Sequence, residues 1–422
     1  MVHITKSFNK KRMQMMIPVD EALNIMLQCA TPLPSETIPF LDASGRVLYD
    51  NIKSEIDVPP LDNSAMDGYA VCFEDTRGAE KNNPVKLRIM DEIKAGDFSD
   101  SLALTRGHAI RIMTGAPIPR GADSVIPVED TTEEGDQVLL FKTLKKNENI
   151  RFAGEDIQSG QIVLKQGDIL RSAHVGLLAS LNYEQVRVYR RPSVAVISTG
   201  NEVVDVGSPI RKGQIRNSNA YTLYSEIKKY GAIPHYRGIA RDTFEETKRM
   251  FQDSLEHDII ITTGGVSMGK YDFVKNVMHD MQIDVKIETI AMKPGKPVVF
   301  GTLGNTLFFG LPGNPVSTMI AFIEFVRPVI LRMMGMRQVD KPLINAVCDE
   351  DISKKPGRRH YIRAFFYTDV TGDLRVSTTG PQGSGILRSM SQANCLIILP
   401  ETIEKLHKGE KVLIQLINHE EI

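Results

Sequence analysis

Apolar residues between Ser193 and Gly335 switch repeatedly between strand-like and helical spacing. Continuous apolar segments, typical of buried strands, occur at 193–198, 233–239 and 259–262, and segments with helical spacing separate them. Strands that alternate with helices call for parallel pairing, because the connecting helices then cover the sheet. The pattern predicts an α/β domain with a central parallel sheet and helices on both faces.

Capping residues and apolar spacing predict where the helices of this domain begin. The first helix is predicted over 220–230, with Ser218 or Asn219 as its N-cap and Gly231 after its last turn. Thr243 and Glu246 have capping-box spacing at the start of the next helix. Further helices are predicted to begin near Asp272 and at Pro315.

Shorter apolar segments, broken by glycine, proline, asparagine and aspartate, flank the α/β domain. From Val71 to about Lys165 they are typical of a small all-β module, and residues 340–422 predict a small β barrel or sandwich. An amphipathic helix is predicted over 18–30. The fold class is therefore multidomain, α/β plus β.

Length and charge bound the possible functions. A chain of 422 residues suggests two to four domains, since a domain usually has ~100–200 residues. The 51 Lys and Arg residues nearly balance the 52 Asp and Glu residues, so no global field favours a nucleic acid or a membrane partner. Any anion site must be local.

The N-terminal segment and the cysteines indicate the cellular compartment. The basic, Met-rich start has an apolar patch too short for a signal peptide or a membrane span, so we expect a cytoplasmic protein. The four cysteines stand far apart without a CxxC pair. We expect buried thiols in a reducing compartment and no structural zinc.

Loops that leave the predicted strands carry the candidate chemistry, because ligands bind beyond the carboxyl ends of parallel strands. Glycine-rich or charged loops follow the strands at 198–202, 240–242 and 262–272, and later at 292–297 and 311–317. Glycines let backbone N–H groups approach a phosphate, and helix N-termini add partial positive charge. Lysines in the later loops can meet anionic oxygen directly.

Three carboxylates, Glu202, Asp242 and Asp272, leave three strands at one predicted edge. Hard oxygen ligands of this kind hold Mg²⁺ between protein and phosphate. Taken alone, Asp242 and Asp272 are more often helix N-caps, Gly264-Gly265 is a turn, and surface lysines are solvated. Their coincidence at one edge favours a phosphate and metal site.

A second group of unusual segments lies outside this domain, at 59–71 and 113–123. The first is typical of a turn-rich domain junction, with Asx-type hydrogen bonds from Asp62 and Asn63. The second is typical of a loop in a β module. Their residue types alone favour these structural interpretations.

Taken together, however, the segments closely resemble the molybdopterin molybdenumtransferase (molybdenum insertase) family, which includes the gephyrin E domain. They occur in the same order along the chain as in that family. The matching segments cover nearly the whole chain: DNSAMDGYAV at 62–71, TGAP at 114–117 with GAD at 121–123, AGEDI at 153–157, STGNE at 198–202, GGVSMGKYD at 264–272, KPGKP at 293–297 and LPGNPVS at 311–317.

The resemblance implies an elongated homodimer of four-domain subunits. The domains expected from it are a discontinuous connecting domain (1–61 and 155–190), an inserted β module (62–154), an α/β molybdopterin-binding domain (191–336) and a C-terminal β barrel-like domain (337–422). The resemblance also implies that each cleft combines the last two domains of one subunit with the β module of the other.

Site residues are carried over by their motifs. The resemblance implies that Asp62 and Thr114 act across the dimer, and that Glu202, Asp242 and Asp272 are catalytic and metal-binding acids. The implied substrate-binding residues are Gly200, Gly264, Gly265, Ser267, Lys275, Lys293, Lys296, Pro312, Gly313, Pro315, Arg359 and Ser384. Within this set, the oxyanion-binding residues are Lys293, Lys296, Arg359 and Ser384.

Some of these assignments stay open. Asn201 stands where an aspartate is common in the family, so Glu202 is the preferred acid there. The choice among Arg358, Arg359 and Arg363 is loose, as is the choice between Ser384 and Ser389.

The implied activity transfers molybdenum from molybdate to adenylyl-molybdopterin, releases AMP and uses Mg²⁺. Partners implied besides the second subunit are a pterin-adenylylating protein and molybdoenzyme acceptors. Two other functions remain open. One is an interaction scaffold of the gephyrin E type, although the acid and lysine positions of the enzyme are kept here. The other is a pterin-adenylylating enzyme, whose single-domain relatives lack the 62–71 segment and the two β modules.

Overall fold

The computed structural model describes residues 16–97, 101–266 and 273–417, which form two compact units. Within these ranges, the first unit comprises 16–38, 42–49 and 186–417, and the second comprises 39–41 and 50–185. The α/β sheet and the C-terminal barrel both belong to the first unit. The four-domain boundaries given above stay a prediction.

The α/β sheet has six strands in the order Ile233–Ala240, Ser193–Thr199, Ile259–Thr263, Thr306–Leu311, Val299–Leu303 and Asp284–Ile287. The first four are parallel, as predicted. The strand Val299–Leu303 pairs antiparallel with Thr306–Leu311, because the short connection from Leu303 to Thr306 allows only a hairpin. It also pairs antiparallel with Asp284–Ile287. The carboxyl ends of the parallel strands therefore share one edge.

Helices pack on both faces of this sheet. Ala195 and Ile197 pack with residues of the helices Phe244–Gln252 and Phe273–Asp280. Val194 and Val196 alternate with them, so they lie on the opposite face. The helix Ser218–Lys229 contacts the same strands and buries Leu223 and Ile227 outside that cluster. The predicted two-faced architecture is confirmed.

The predicted N-cap is confirmed for one helix of this domain and wrong for another. Thr243 caps its helix as predicted, accepting a hydrogen bond from Glu246 N at 3.3 Å. The predicted caps Ser218 and Asn219 were wrong, since the helix begins at Ser218 and the side chain of Asn217 accepts from Ala220 N. Asn217 is buried and lies where the chain turns into the helix. The helix from Pro315 runs as Pro315–Ala321, a π-helical turn Phe322–Val326, and Arg327–Met333.

The C-terminal part is a closed five-stranded barrel, which decides between the predicted barrel and sandwich. Its strands follow the order Arg359–Thr368, Leu374–Thr378, Leu343–Cys348, Lys411–Leu416 and Cys395–Leu399, and the last pairs with the first. A buried apolar cluster fills the interior. The strand Met292–Lys293 of the preceding region adds in parallel beside Arg359.

The second unit contains a six-stranded sheet, which confirms the predicted all-β module. Its order is Ser124–Pro127, Gly68–Val71, His108–Ile112, Val85–Ile93, Gln137–Leu140 and Thr131–Glu134. One buried cluster includes Tyr69 and Val71 and another includes Ala70, so both faces of the strand are covered. This unit also contains the helix Ser172–Ser180.

The remaining elements are helices and short strands outside the three six-stranded sheets. The predicted amphipathic helix spans Val19–Cys29. A further helix is Leu387–Gln392. The other strands are Ser35–Pro39, Ile52–Lys53, Asn63–Ser64, Ile150–Arg151, Ile162–Leu164, Gln185–Tyr189, Val203–Val204, Ile215–Arg216, Ile352–Ser353 and Lys405–Leu406.

The cysteines are free thiols, but burial is not uniform. Cys348 and Cys395 are buried, and burial raises the pKa of the Cys395 thiol to about 12. Cys29 and Cys72 are only half-buried, which corrects the expectation that all four lie in the core. Cys29 ends an amphipathic helix whose buried face consists of Val19, Ala22 and Met26. In the described ranges, no helix is both long and apolar enough to cross a membrane.

Candidate functional site

A cavity of about 290 Å³ opens at the carboxyl edge of the parallel strands. The loops after all four parallel strands contribute to its wall, as the strand-end argument predicts. It gathers seven of the predicted site residues, namely Gly200, Glu202, Asp242, Gly264, Gly265, Gly313 and Pro315. None of the predicted site residues lines a larger cavity, of about 350 Å³, in the second unit.

Glycines bring the loops of this cavity close together. Gly264 has a φ of +90°, and a Cβ there would stand 2.7 Å from Thr199 Oγ1. At Gly200, with a φ of +137°, a Cβ would stand 2.6 Å from a carboxylate oxygen of Glu202. Both positions therefore require glycine. The Glu202 carboxylate lies directly against its own loop.

Asp242 is held by Asn201 and not by helix capping. Asp242 Oδ2 accepts from Asn201 N at 3.1 Å, and Asn201 Oδ1 accepts from Asp242 N at 3.3 Å. Because Thr243 caps the following helix, the capping explanation for Asp242 is wrong. Asp242 is therefore positioned toward the cavity that Glu202 also lines.

The metal set is only partly visible in the structure. Glu202 and Asp242 meet in the cavity, whereas Asp272 and Ser267 lie outside the described residues. In the part of the chain that is described, no three His, Cys, Asp or Glu side chains form a metal-ligand cluster. The two carboxylates supply hard oxygen donors of the type that Mg²⁺ prefers.

The lysines lie apart from this cavity. Lys293 and Lys296 are exposed residues of the segment that pairs with the barrel strand at Arg359, and neither lines the cavity. Among the described residues, neither forms an ion pair. Lys275 donates to Glu288 at 2.9 Å and does not line the cavity either.

Arg359 is engaged in ion pairs. Its two terminal nitrogens donate to the two carboxylate oxygens of Asp20, each at 2.7 Å, and Nε lies 3.3 Å from Glu401. The hydrogen bond to Asp20 raises the pKa of Arg359 and lowers that of Asp20. Asp20 and Glu401 thus neutralise the Arg359 guanidinium in this structure, and its implied role in oxyanion binding stays a prediction.

Arg363 holds the loop that carries Ser384. Only 1% of Arg363 is exposed, and it donates to the carbonyls of Pro381, Gln382 and Gly383 at 3.0–3.2 Å. Burial lowers the pKa of Arg363. The Ser384 carbonyl in turn accepts from Val316 N at 3.1 Å. Spacing along the chain does not reveal this burial, and the choice of oxyanion ligand among Arg358, Arg359 and Arg363 stays open.

Two prolines shape the neighbouring loop. Pro312 is buried, and its carbonyl accepts from Thr318 Oγ1 at 2.5 Å. Pro315 is the first residue of its helix, as predicted, although Asn314 makes no side-chain cap. These contacts place Gly313 between them at the cavity wall.

Asp62 and Thr114 lie in the second unit, where the matched motifs contact one another. Asp62 Oδ1 accepts from Ala153 N at 2.8 Å. Thr114 donates through N and Oγ1 to Asp67 Oδ1, both at 2.7 Å, which lowers the pKa of Asp67. Sequence reasoning did not single out Asp67, although it lies within the matched 62–71 segment. The predicted role of Asp62 and Thr114 across a dimer stays a prediction.

Arg216, Asn217 and Asn219 also line the cavity, and sequence reasoning assigned no binding role to them. They precede or open the helix Ser218–Lys229. The available signal was a run of polar residues directly before a helical pattern.

Three family profiles match consecutive parts of the chain. They are described as the MoeA N-terminal region (domain I and II) at residues 17–182, a probable molybdopterin binding domain at 195–332, and the MoeA C-terminal region (domain IV) at 345–417.

Relatives match over nearly their full length. The chain is 38% identical to the molybdopterin molybdenumtransferase of Haemophilus influenzae, with 96% of this chain and 99% of the relative covered. It is 34% identical to the protein of that name from Staphylococcus aureus strain COL, with 91% of both covered. It is also 34% identical to the one from a Nostoc species, with 94% and 93% covered.

Solved structures agree with these matches. The crystal structure of a molybdopterin biosynthesis moeA protein from Pyrococcus horikoshii OT3 is 32% identical, with a TM-score of 0.82, 96% of this chain covered and 100% of the other. A fold, a cavity and three profile matches therefore lead to one assignment. The chain belongs to the molybdopterin molybdenumtransferase family and is a transferase of molybdenum cofactor biosynthesis.

Proposed function

We propose that this transferase moves molybdenum from molybdate to adenylyl-molybdopterin, forms the molybdenum cofactor and releases AMP in a Mg²⁺-dependent reaction. One observation carries the proposal. Glu202 and Asp242 share a single cavity with glycine-rich loops at the carboxyl edge of the sheet. Acids and close-approaching backbone together suit a metal-bridged phosphate group.

The cavity residues bind and orient the nucleotide part of this substrate. Gly264, Gly265 and Gly313 allow the backbone to approach phosphate oxygens closely. The N-terminus of the helix Ser218–Lys229 adds partial positive charge beside them. These groups compensate phosphate charge before any bond changes.

The carboxylates fit a magnesium ion. Glu202 and Asp242 would hold it, with Asp272 as the further acid expected from the family resemblance. When bound, Mg²⁺ neutralises pyrophosphate oxygens and makes AMP a better leaving group. The two hydrogen bonds between Asn201 and Asp242 keep Asp242 oriented for this role.

Lys293, Lys296, Arg359 and Ser384 form the proposed oxyanion-binding set. Molybdate is a tetrahedral dianion, so ammonium and hydroxyl donors suit it. The two lysines are exposed and form no ion pair with any described residue, which leaves their charge available. Arg363 supports this set by fixing the loop of Ser384.

AMP release tests the reaction directly. Purified protein is incubated with adenylyl-molybdopterin, with and without molybdate and Mg²⁺, and AMP is measured by chromatography. We expect release that requires both additions. AMP addition to molybdopterin would favour the adenylylating alternative. A stable protein client without any turnover would favour the scaffold alternative.

We also propose a homodimer that receives its substrate from a pterin-adenylylating protein and passes its product to molybdoenzymes. The support is family membership over nearly the whole chain. Sedimentation equilibrium measures the subunit number, and a monomer at micromolar concentration would contradict the proposal.

A further inference from the structure

Arg216 is a cation in a cavity whose other charged lining residues are acids. It lines the cavity together with Glu202 and Asp242. No acid among the described residues forms an ion pair with it. Two carboxylates alone would repel an anionic ligand, so the guanidinium changes the charge balance of the wall.

Only one nitrogen of the Arg216 guanidinium, Nη1, is hydrogen-bonded to the described residues. Arg216 Nη1 donates to the carbonyl of Asp205 at 2.7 Å and to that of Ser208 at 2.5 Å. Nε and Nη2 donate to no described residue. These two nitrogens form one of the planar edges with which arginine binds two phosphate oxygens at once. The structure therefore orients Arg216 and leaves that edge available.

The segment that carries Arg216 is tied to the sheet. We call residues 203–216 the strap, since Val203–Val204 pairs with Ile215–Arg216 at its two ends. The next residue, Asn217, is buried, and its Oδ1 accepts from Ser198 Oγ at 2.9 Å. Asn217 Nδ2 donates to Tyr236 Oη at 2.9 Å.

Asp205 closes this hydrogen-bond network. Its Oδ1 accepts from Tyr236 Oη at 2.6 Å and from Asn217 Nδ2 at 3.1 Å. The carbonyl of the same residue orients Arg216. Two strands of the sheet, through Ser198 and Tyr236, thus determine where the guanidinium lies.

We propose that Arg216 binds a phosphate group of the adenylylated substrate through Nε and Nη2. The inference rests on the proposed function for the identity of the substrate and adds a binding residue to its site. The strap and the Asn217–Asp205–Tyr236 network act as positioning elements.

AMP and adenosine are the probes, because they differ only by the phosphate. Their dissociation constants are measured by calorimetry for the wild type, Arg216→Gln and Arg216→Lys. We expect Arg216→Gln to bind AMP about tenfold more weakly and adenosine within about twofold of the wild type. Arg216→Lys should recover part of the loss, since it restores charge but not the planar edge.

Two further variants separate binding from folding. Arg211→Gln removes an exposed arginine of the same strap and should leave both affinities within about twofold. Tyr236→Phe removes the hydroxyl that ties the strap and should weaken AMP binding at an unchanged adenosine affinity. Unchanged AMP binding by Arg216→Gln, equal losses for both probes, or no AMP binding by the wild type would overturn the inference.

Turnover distinguishes this inference from the proposed reaction. If the wild type binds AMP through Arg216 but releases none from adenylyl-molybdopterin, the phosphate-binding role stands and the proposed reaction fails. If molybdate-dependent AMP release is normal and Arg216→Gln matches the wild type in KM and kcat, the reaction stands and the inference fails.

Discussion

Asn201 and Asp242 exchange two hydrogen bonds, each donating its backbone N–H to the side chain of the other, at 3.1 and 3.3 Å. The pair joins the loops after two neighbouring parallel strands. An asparagine at 201 can fill this role because only its oxygen is used as an acceptor. The negative charge of the pair therefore resides on Asp242 alone.

Replacing Asp242 by asparagine tests its charge without removing its hydrogen bond. The amide oxygen can still accept from Asn201 N, so we expect a folded protein with normal unfolding temperature. AMP release should fall about a hundredfold, because the proposed metal loses an anionic ligand. The matched control is Asp253→Asn, at the exposed end of the helix that follows Asp242. Normal turnover by Asp242→Asn would reject the metal role.

Lys296 is expected to act on molybdate and not on the pterin. For Lys296→Gln we expect the KM for molybdate to rise about tenfold and the KM for adenylyl-molybdopterin to stay within about twofold. Lys408→Gln, at an exposed lysine of the barrel, serves as the control. Equal increases in both constants would indicate general damage to the protein.

We expect the folded protein to lose stability in mild acid, because His360 is buried. Burial, with help from the Lys293 charge, lowers the pKa of His360 to about 4 from an ordinary 6.5. The unfolded chain then binds more protons than the folded one between these values. The stabilisation is therefore complete above pH 6.5 and is lost as the pH falls toward 4, by at most about 3 kcal/mol.

Urea unfolding at pH 7.5 and 5 measures this effect. His360→Gln should reduce the drop in unfolding free energy between the two pH values, whereas His279→Gln, at an exposed histidine, should not. An identical drop for wild type and His360→Gln would show that other groups cause the acid sensitivity.

Mixing two inactive variants tests whether a second copy contributes Asp62. If the family arrangement applies, Asp62→Ala and Asp242→Ala homodimers are both inactive. Mixed dimers then contain one site with neither substitution, so refolding the two together should restore up to about a quarter of wild-type AMP release. Failure to restore activity, despite heterodimers seen by mass spectrometry, would place both residues in one subunit's site.

Chain-local signals were sufficient for most elements. The alternation of buried strands and capped helices predicted the α/β domain. This worked because backbone geometry sets the spacing of the buried residues in each strand and helix, so the spacing reveals the element. Glycines with positive φ at 200 and 264 belong to the same class of signal. Strand-end chemistry then placed Glu202 and Asp242 together, since parallel strands end at one edge.

Long-range packing decided the rest. Arg359 and Arg363 are four positions apart with the same side chain, yet one is paired with Asp20, 339 residues away, and the other is buried under the Ser384 loop. No local pattern contains Asp20 or that loop. The same holds for Arg216, whose orientation depends on the strap and on Tyr236 from a neighbouring strand. The sequence by itself determined which elements form and at which edge chemistry gathers, because those follow from local spacing. Only the tertiary structure decided which cations are neutralised, which are buried and which face the cavity, because charge compensation and burial depend on residues that are distant along the chain.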